Sequence, residues 1–159
     1  MILVSVGTHH QPFDRLVSAC AALAASGEEV VVQRGVSRLS PAGCTVVDQV
    51  RPDVLETWMR TARVVILHAG SSSFLQARAL GRVPIVVPRR ARYGEHVDDH
   101  QVELARSLPA GEAVVAEPDE LAAVVAGWRE DRRPPRPPTD FADRLGALVD
   151  GLVRGRRES

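Results

Sequence analysis

The segment Arg63–Gln101, RVVILHAGSSSFLQARALGRVPIVVPRRARYGEHVDDHQ, decides the predicted fold because it holds two short apolar runs, each followed by polar residues. The first run, Val64–Leu67, has the length of a buried strand and ends in the small polar turn His68–Ser73. A helix is predicted over Phe74–Leu80, and a second apolar strand over Pro84–Val87. This order of strand, turn, helix and strand is typical of a parallel α/β sheet.

The polar segments after these two strands predict an anion site. A helix that begins behind the turn presents free N–H groups and a positive end, and Gly70 lets a phosphate approach the backbone. The loop Tyr93–Gln101 follows the next strand, so we expect it to lie beside the turn. Parallel sheets bind their ligands at this carboxyl edge.

Composition and charge exclude several classes of function. Basic and acidic residues both number 20, so the formal net charge is zero and nothing indicates a nucleic-acid partner. Cys20 and Cys44 lack metal-ligand spacing, and we interpret them as free thiols in a reducing cytosol. No signal segment and no apolar run of the ~18 residues that a membrane span needs are recognised. We therefore expect a cytoplasmic location, with any membrane connection made through surface contact or a partner.

The remainder of the chain continues the alternation of strands and helices. Further strands are predicted at Ile2–Val6, Glu29–Gln33, Cys44–Val47 and Glu112–Ala116, and further helices at Pro12–Ala25, Arg51–Ala62, Val102–Leu108 and from Pro118 onward. The predicted fold is a Rossmann-like, doubly wound parallel α/β sheet. We assign residues 1–130 to one domain, residues 131–138 to a Pro/Arg-rich linker and residues 139–159 to a C-terminal helix and tail.

The C-terminal segment carries a second amphipathic pattern. Thr139 is a suitable helix cap, and one apolar face is predicted to hold Phe141, Leu145, Leu148, Val149 and Leu152. Such an apolar stripe must pack against another surface. Docking on a partner and packing back on the chain's own sheet both satisfy this requirement.

All five histidines map to the carboxyl edge of the predicted sheet. They are His9, His10, His68, His96 and His100. Any one of them can be a solvated loop residue, but their convergence with Thr8, the serine turn and Asp98–Gln101 indicates a functional site.

Three kinds of chemistry compete for this edge. His96 and His100 are four residues apart, a spacing that can bind zinc on a helix, although Asp98 is better suited to an N-cap. A serine hydrolase is disfavoured because the turn lacks G-x-S-x-G, and a nicotinamide enzyme because Gly7–His10 lacks G-x-G-x-x-G. The third interpretation is a nucleotide phosphate held by Ser71–Ser73 and the turn after the first strand.

The combination of motifs resembles the C-terminal, donor-binding domain of family 28 glycosyltransferases. The segment VGTHHQPFDRL at Val6–Leu16 is similar to the N-terminal signature of a single-domain group of Alg13-, PssE- and EpsF-like proteins. Val31–Gly35 resembles its I-Q-x-G strand, and His68–Ser73 its H-A-G-x-G-S turn with Ser in place of the second Gly. Pro84–Pro88 followed by Gly94–Gln101 resembles its donor loop.

This resemblance covers residues 1–126 and implies one half of a GT-B enzyme. The implied activity is metal-independent, inverting transfer from a UDP-sugar, without a cofactor, to a lipid-linked glycan acceptor such as an exopolysaccharide precursor. N-acetylglucosamine, glucuronic acid, galactose and glucose are all used by relatives. The acceptor site is implied to lie on a membrane-anchored, Alg14/PssD-like partner subunit, which would recruit the chain to the inner face of the membrane.

The resemblance also implies roles for individual residues. Gly70, Ser71 and Ser72 would hold the diphosphate, Gly7 and Thr8 would face it, and Gln76 would bind the ribose. The remaining expected donor contacts are His9, Glu95, His96, Asp99, His100 and Gln101. We expect His100 and Gln101 to lie in an exposed loop and to contact the sugar and the α-phosphate.

Inverting transfer requires a base of near-neutral pKa, which a histidine can supply. We choose His10, while His9 and a residue of the partner stay open as alternatives. A different class of function also stays open, in which the chain is a nucleotide-sugar-binding or regulatory subunit without chemistry of its own.

Overall fold

Six parallel strands form one sheet in the computed structural model, which describes residues 1–129. The strands are β1 (Ile2–Ser5), β2 (Val30–Gln33), β3 (Cys44–Val47), β4 (Val64–His68), β5 (Ile85–Val87) and β6 (Val114–Val115). The helices are α1 (Asp14–Ala24), α2 (Pro52–Thr61), α3 (Ser71–Ala79), α4 (His100–Ser107) and α5 (Leu121–Ala126), with short 3-10 turns at Ala91–Tyr93 and Pro118–Glu120. The predicted doubly wound α/β fold is confirmed.

The strand order is β3-β2-β1-β4-β5-β6, so the order along the chain reverses between β1 and β4. Ile2 of β1 is in register with Val30 of β2 on one side and with Val64 of β4 on the other. Because the strands are parallel, the turns after β1 and β4 emerge side by side at the carboxyl edge. This is the topological switch point at which open α/β sheets bind ligands.

Alternating strand side chains serve two core layers. Ile2, Val4 and Ile66 pack against α1 and α5 on one face of the sheet. Leu3 and Val65 face the other side, where α2 and α3 supply the covering residues. Strands buried on both faces explain the continuous apolar runs in the sequence.

The element boundaries differ from the prediction mainly where polar residues begin a helix. The helix α3 begins at Ser71 rather than Phe74, because the first turn of the helix already closes with the bond from the Phe74 N–H to the Gly70 carbonyl, at 3.0 Å. The last strand is shorter than expected, with only Val114 and Val115 paired to β5.

The predicted linker at 131–138 and the C-terminal helix at 139–159 lie outside the described residues. Within residues 1–129, no helix combines the length and the apolar character needed to cross a bilayer.

The buried face of α1 gives a direct test of the packing. Leu16 is fully buried against the sheet, whereas Leu75 on α3 is 39% exposed. We expect Leu16→Ala to lower the free energy of unfolding by about 2–5 kcal/mol, because it removes buried methyl groups and leaves a cavity. The matched variant Leu75→Ala should change it by about 0.5 kcal/mol or less. Urea titration measures both, and equal losses would contradict the assignment of these faces.

Candidate functional site

The centre of the site is a histidine ring held between two glycines at the switch point. Gly7 follows β1, Gly70 follows β4, and His68 is the last residue of β4. A Cβ atom on Gly7 would lie 2.3 Å from Cε1 of His68, and one on Gly70 would lie 2.2 Å from Nε2. Gly7 also has a φ of +77°, which favours glycine. Only glycine at both positions therefore lets the two turns close on the ring.

The N-terminus of α3 opens beside this ring. Gly70 is its N-cap residue, and within the described chain no side chain caps the helix. The N–H groups at the start of a helix have no intrahelical acceptor, so those of Ser71–Ser73 remain available to a ligand. Together with the positive end of the helix they form a suitable site for a phosphate.

A pocket of about 280 Å³ lies at this point. Six of the predicted site residues line it: Gly7, Thr8, Gly70, Ser71, Ser72 and His100. Its other lining residues are Ser5, Gln33, Leu55, His68 and Ser73. The structure thus unites the two turns and the beginning of α4 in one concave site.

Sequence reasoning missed two polar residues of the pocket. Ser5 and Gln33 are buried, end β1 and β2 respectively, and are joined by a hydrogen bond of 3.3 Å from the amide of Gln33. A signal for them existed, because each is the polar residue that ends an otherwise apolar strand at the carboxyl edge.

Four histidine rings form a continuous row next to the pocket. His10 stacks on His9 with ring centroids 4.4 Å apart, His9 contacts His96 at 4.2 Å, and His96 contacts His100 at 4.3 Å. The row connects the loop after β1 to the loop after β5, and His10 at its end is exposed. His9, His10 and His96 do not line the pocket itself.

Burial keeps several of these rings neutral. Burial lowers the pKa of His68 to about 4, and the positive charge of Arg89 adds to the effect. Burial and the neighbouring rings of His100 and His9 lower the pKa of His96 to about 4. The pKa of His9 is also lowered, by burial and then by Arg89. The site therefore offers neutral imidazoles at physiological pH.

The zinc site considered in the sequence analysis is close enough in distance to form. Ligand atoms of His96, Asp98 and His100 lie within 4.8 Å of one another. Two observations oppose a cation there. The Oδ1 atom of Asp98 already accepts the N–H of His100 at 3.2 Å, and the group lies at the positive N-terminus of α4. The N-cap of α4 is Asp99 rather than the predicted Asp98.

Glu95 is buried and holds the donor loop to α1. Its carboxylate accepts two hydrogen bonds from Arg15, at 2.9 and 3.0 Å, and one from the backbone N–H of Arg90 at 2.9 Å. Arg15 also binds Glu117 at 2.6 Å. These contacts give Glu95 a positioning role in the described chain, and a direct contact with a donor stays a prediction.

The expectation of an exposed Gln101 is wrong. Gln101 is 3% exposed, and its side-chain oxygen accepts the backbone N–H of Arg89 at 3.2 Å. It lies in the first turn of α4, a helix packed on the sheet, so its side chain turns inward. His100 is the first residue of α4 rather than part of an exposed loop. Its side chain is 30% exposed and lines the pocket, and its contact with a donor stays a prediction.

Two further predicted contacts lie outside the pocket lining. The carboxylate of Asp99 accepts the N–H of Ala91 at 2.8 Å, which connects the donor loop to the 3-10 turn at Ala91–Tyr93. Gln76 lies on α3 beyond Ser73 and does not line the pocket. Their roles toward a donor stay predictions.

A larger cleft of about 660 Å³ lies elsewhere, between α1 and the donor loop, and includes Arg15, Arg90, Tyr93 and Glu117. The guanidinium groups of Arg15 and Arg90 are both paired with Glu117. Its cations are thus already neutralised, whereas the uncapped end of α3 opens into the smaller pocket.

Comparisons with known proteins agree with this geometry. The sequence profile described as the glycosyltransferase family 28 C-terminal domain matches residues 1–133. The chain is similar in structure to the glycotransferase of kitacinnamycin, with 22% identity and a TM-score of 0.58, and to CalG4, the calicheamicin glycosyltransferase, with 18% identity and a TM-score of 0.56. At these identities the likeness shows a shared fold, that of the C-terminal half of a GT-B protein.

The alignments cover 95% and 96% of this chain but only 38% of each of those two structures. The chain thus spans well under half of their length. No curated protein sequence matches the chain.

The neutral His68 gives a pH-dependent prediction. In the unfolded chain a histidine binds its proton near pH 6.5, whereas folded His68 does so only near pH 4. The free energy of unfolding should therefore fall as the pH drops from 6.5 toward 4. The part contributed by His68 is on the order of 1–2 kcal/mol at pH 5. Urea unfolding at pH 7.5 and pH 5 measures the loss.

The control for this prediction is His68→Gln, which cannot titrate in this range. It should lose less stability between the two pH values than the wild type. An equal loss, or a His68 ring that titrates near pH 6.5 by NMR, would contradict the buried neutral ring.

Proposed function

Because the chain belongs to the glycosyltransferase family 28 C-terminal domains, we propose that it is the donor-binding, catalytic half of a UDP-sugar-dependent glycosyltransferase. Members of this family bind a nucleotide-sugar donor. The observation that carries this proposal is the uncapped N-terminus of α3, which opens into a pocket at the switch point. The proposed reaction inverts the anomeric carbon and needs no metal ion.

The diphosphate of the donor binds the N–H groups of Ser71–Ser73 in this proposal, with Gly7 and Thr8 on the opposite wall. An acceptor hydroxyl oxygen attacks the anomeric carbon, and the bond from that carbon to the UDP oxygen breaks. The negative charge that develops on the departing phosphate is stabilised by the positive helix end. Such fixed dipoles replace the metal ion that other transferases use for the same purpose.

His10 takes the proton of the acceptor hydroxyl in the proposed reaction. Its exposed ring lies at the end of the histidine row, on the loop whose Thr8 lines the pocket. The loop that carries the ring thus borders the donor site, and the ring is accessible to a second molecule. His9 is less accessible, and its Nδ1 accepts the Gln11 N–H at 3.1 Å.

The other half of the active site is proposed to lie on a membrane-anchored subunit that binds a lipid-linked glycan acceptor. The pocket of about 280 Å³ is small for a complete nucleotide sugar, and pockets that bind such ligands are usually larger. A second half that closes over the carboxyl edge supplies the missing walls. A binding subunit without chemistry would share these features but not the role of His10.

We expect UDP to stabilise the protein in the presence of EDTA, by about 2.7 kcal/mol at a concentration 100 times its dissociation constant. Ser72→Glu places a carboxylate in the first turn of α3. Its charge suits the helix end but repels the diphosphate. The variant should therefore keep its thermal stability and lose the UDP-induced shift, as measured by thermal denaturation.

The matched control is Ser18→Glu, an equally exposed serine on α1, which should respond to UDP like the wild type. If Ser72→Glu binds UDP normally, the diphosphate does not lie on α3. A UDP shift that EDTA abolishes would show that a metal ion carries the phosphate.

His10→Asn tests the catalytic assignment. Loss of a general base lowers turnover by about 10²–10⁴-fold, while UDP binding should remain. Turnover is measured with a panel of UDP-sugars in membranes in which the chain is co-expressed with a candidate membrane-anchored subunit. Full activity of His10→Asn would place the base on another residue, and loss of UDP binding would give His10 a structural role.

A further inference from the structure

A fully buried arginine connects the two loops of the proposed active site. Arg89 lies two residues beyond β5 and has no exposed surface. Its guanidinium donates hydrogen bonds to four backbone carbonyls: Val6 at 2.9 Å, Gln11 at 2.8 Å, Pro12 at 3.3 Å and Glu95 at 3.0 Å. Within residues 1–129 no carboxylate oxygen is hydrogen-bonded to it. The guanidinium therefore binds backbone carbonyls in place of a carboxylate partner.

The four carbonyls belong to two different segments. Val6, Gln11 and Pro12 bracket the loop after β1, which carries His9 and His10. We call residues 6–12 the base loop.

Glu95 belongs to the donor loop, residues 94–101. The backbone N–H of Arg89 also holds the side chain of Gln101, at 3.2 Å. One residue thus contacts the base loop through three carbonyls and the donor loop at both of its ends.

The chemistry of the arginine suits this connecting role. Burial lowers its pKa to about 10, so the group remains charged at neutral pH. The ring of Phe13 lies under the guanidinium at 4.7 Å, and the planar fork directs its donors to several acceptors at once. A lysine has one nitrogen and cannot reach both loops with the same geometry.

We propose that Arg89 is a positioning residue that couples the donor loop to the base loop, so that a nucleotide in the pocket fixes the position of His10. The inference rests on the proposed function of the pocket. His100 of the donor loop lines that pocket, whereas His9, His10 and Gln11 do not. A change in these last residues upon nucleotide binding must therefore pass through neighbouring groups.

A nucleotide can reach the base loop directly through Gly7 and Thr8, which line the pocket. Two further routes connect the donor loop to the base loop, and they can be separated. One is the guanidinium of Arg89, and the other is the contact between the rings of His9 and His96. Arg89→Lys disrupts the first route and leaves both rings in place. Arg82→Lys is the matched control, because Arg82 also binds backbone carbonyls, those of Ala62 and Arg63. These residues precede β4 and β5, so they lie at the amino edge of the sheet, opposite both loops.

The experiment follows backbone amide signals by NMR while UDP is added in EDTA. In the wild type and in Arg82→Lys, the amides of Gly70–Ser73 and those of His9, His10 and Gln11 should all shift. In Arg89→Lys the Gly70–Ser73 signals should shift with a dissociation constant within about threefold of the wild type, while the base-loop signals stay still. Base-loop shifts that persist in Arg89→Lys would assign the coupling to the ring contact or to Gly7 and Thr8, and would overturn the proposal.

Turnover supplies a second readout that a merely structural residue would not produce. Arg89→Lys should lower kcat by about 100-fold, since small displacements of a catalytic group cost this much, and leave the KM for the donor nearly unchanged. The double variant Arg89→Lys with His10→Asn should be no slower than His10→Asn alone. Additive losses would show that Arg89 does not act through His10.

A second variant keeps the test possible if Arg89→Lys is misfolded. If Arg89→Lys does not fold, Phe13→Leu removes the ring under the guanidinium while keeping an apolar residue there, and the base-loop shifts should then be smaller. Unchanged shifts in Phe13→Leu would overturn the proposal. A wild type whose Gly70–Ser73 signals ignore UDP would instead overturn the proposed function and this inference with it.

Discussion

The parallel pairing of β1 with β4 is the constraint on which the site depends. It places the turns after the two strands side by side, and the ring of His68 fills the space between their glycines. A side chain on Gly7 or Gly70 would separate the turns, and the pocket would lose its narrow base. The same pairing directs the N-terminus of α3 into the pocket, so strand order, glycine placement and ligand chemistry have one common cause.

Buried charge then fixes the loops that surround the pocket. The carboxylate of Glu95 is held by Arg15 and the guanidinium of Arg89 by backbone carbonyls, so each charge lies among partners. Such arrangements contribute little net stability, because desolvation offsets much of the attraction. Their benefit is geometric, since these hydrogen bonds can form together at only one set of loop positions. The proposed transfer reaction needs this precision, because the base, the acceptor and the leaving group must all be held in a geometry close to that of the reaction.

Periodicity and turn chemistry predicted most of the fold. The apolar strands, the glycine stops and the alternation of elements determine a doubly wound sheet, and that topology alone brings the turns at Gly7 and Gly70 together. The family follows from local motifs such as His68–Ser73, which contain the backbone proposed to bind phosphate and need no long-range information.

The interior polar contacts could not be predicted in the same way. An arginine directly after a strand, such as Arg89, is ordinarily exposed, and its burial depends on carbonyls up to 83 positions away along the chain. Gln101 turns inward because Arg89 offers it a backbone N–H, and Glu95 does so because Arg15 approaches from α1. Each depends on pairs of residues that only the folded chain brings together.

A crystal structure of the protein with UDP, grown in EDTA, tests the central claim most directly. The account predicts that diphosphate oxygens accept hydrogen bonds from the backbone N–H groups of Ser71–Ser73, with the His68 ring and Gly7 alongside and no metal ion present. UDP bound instead in the larger cleft beside Arg15 and Tyr93, or a diphosphate that does not touch the start of α3, would contradict it.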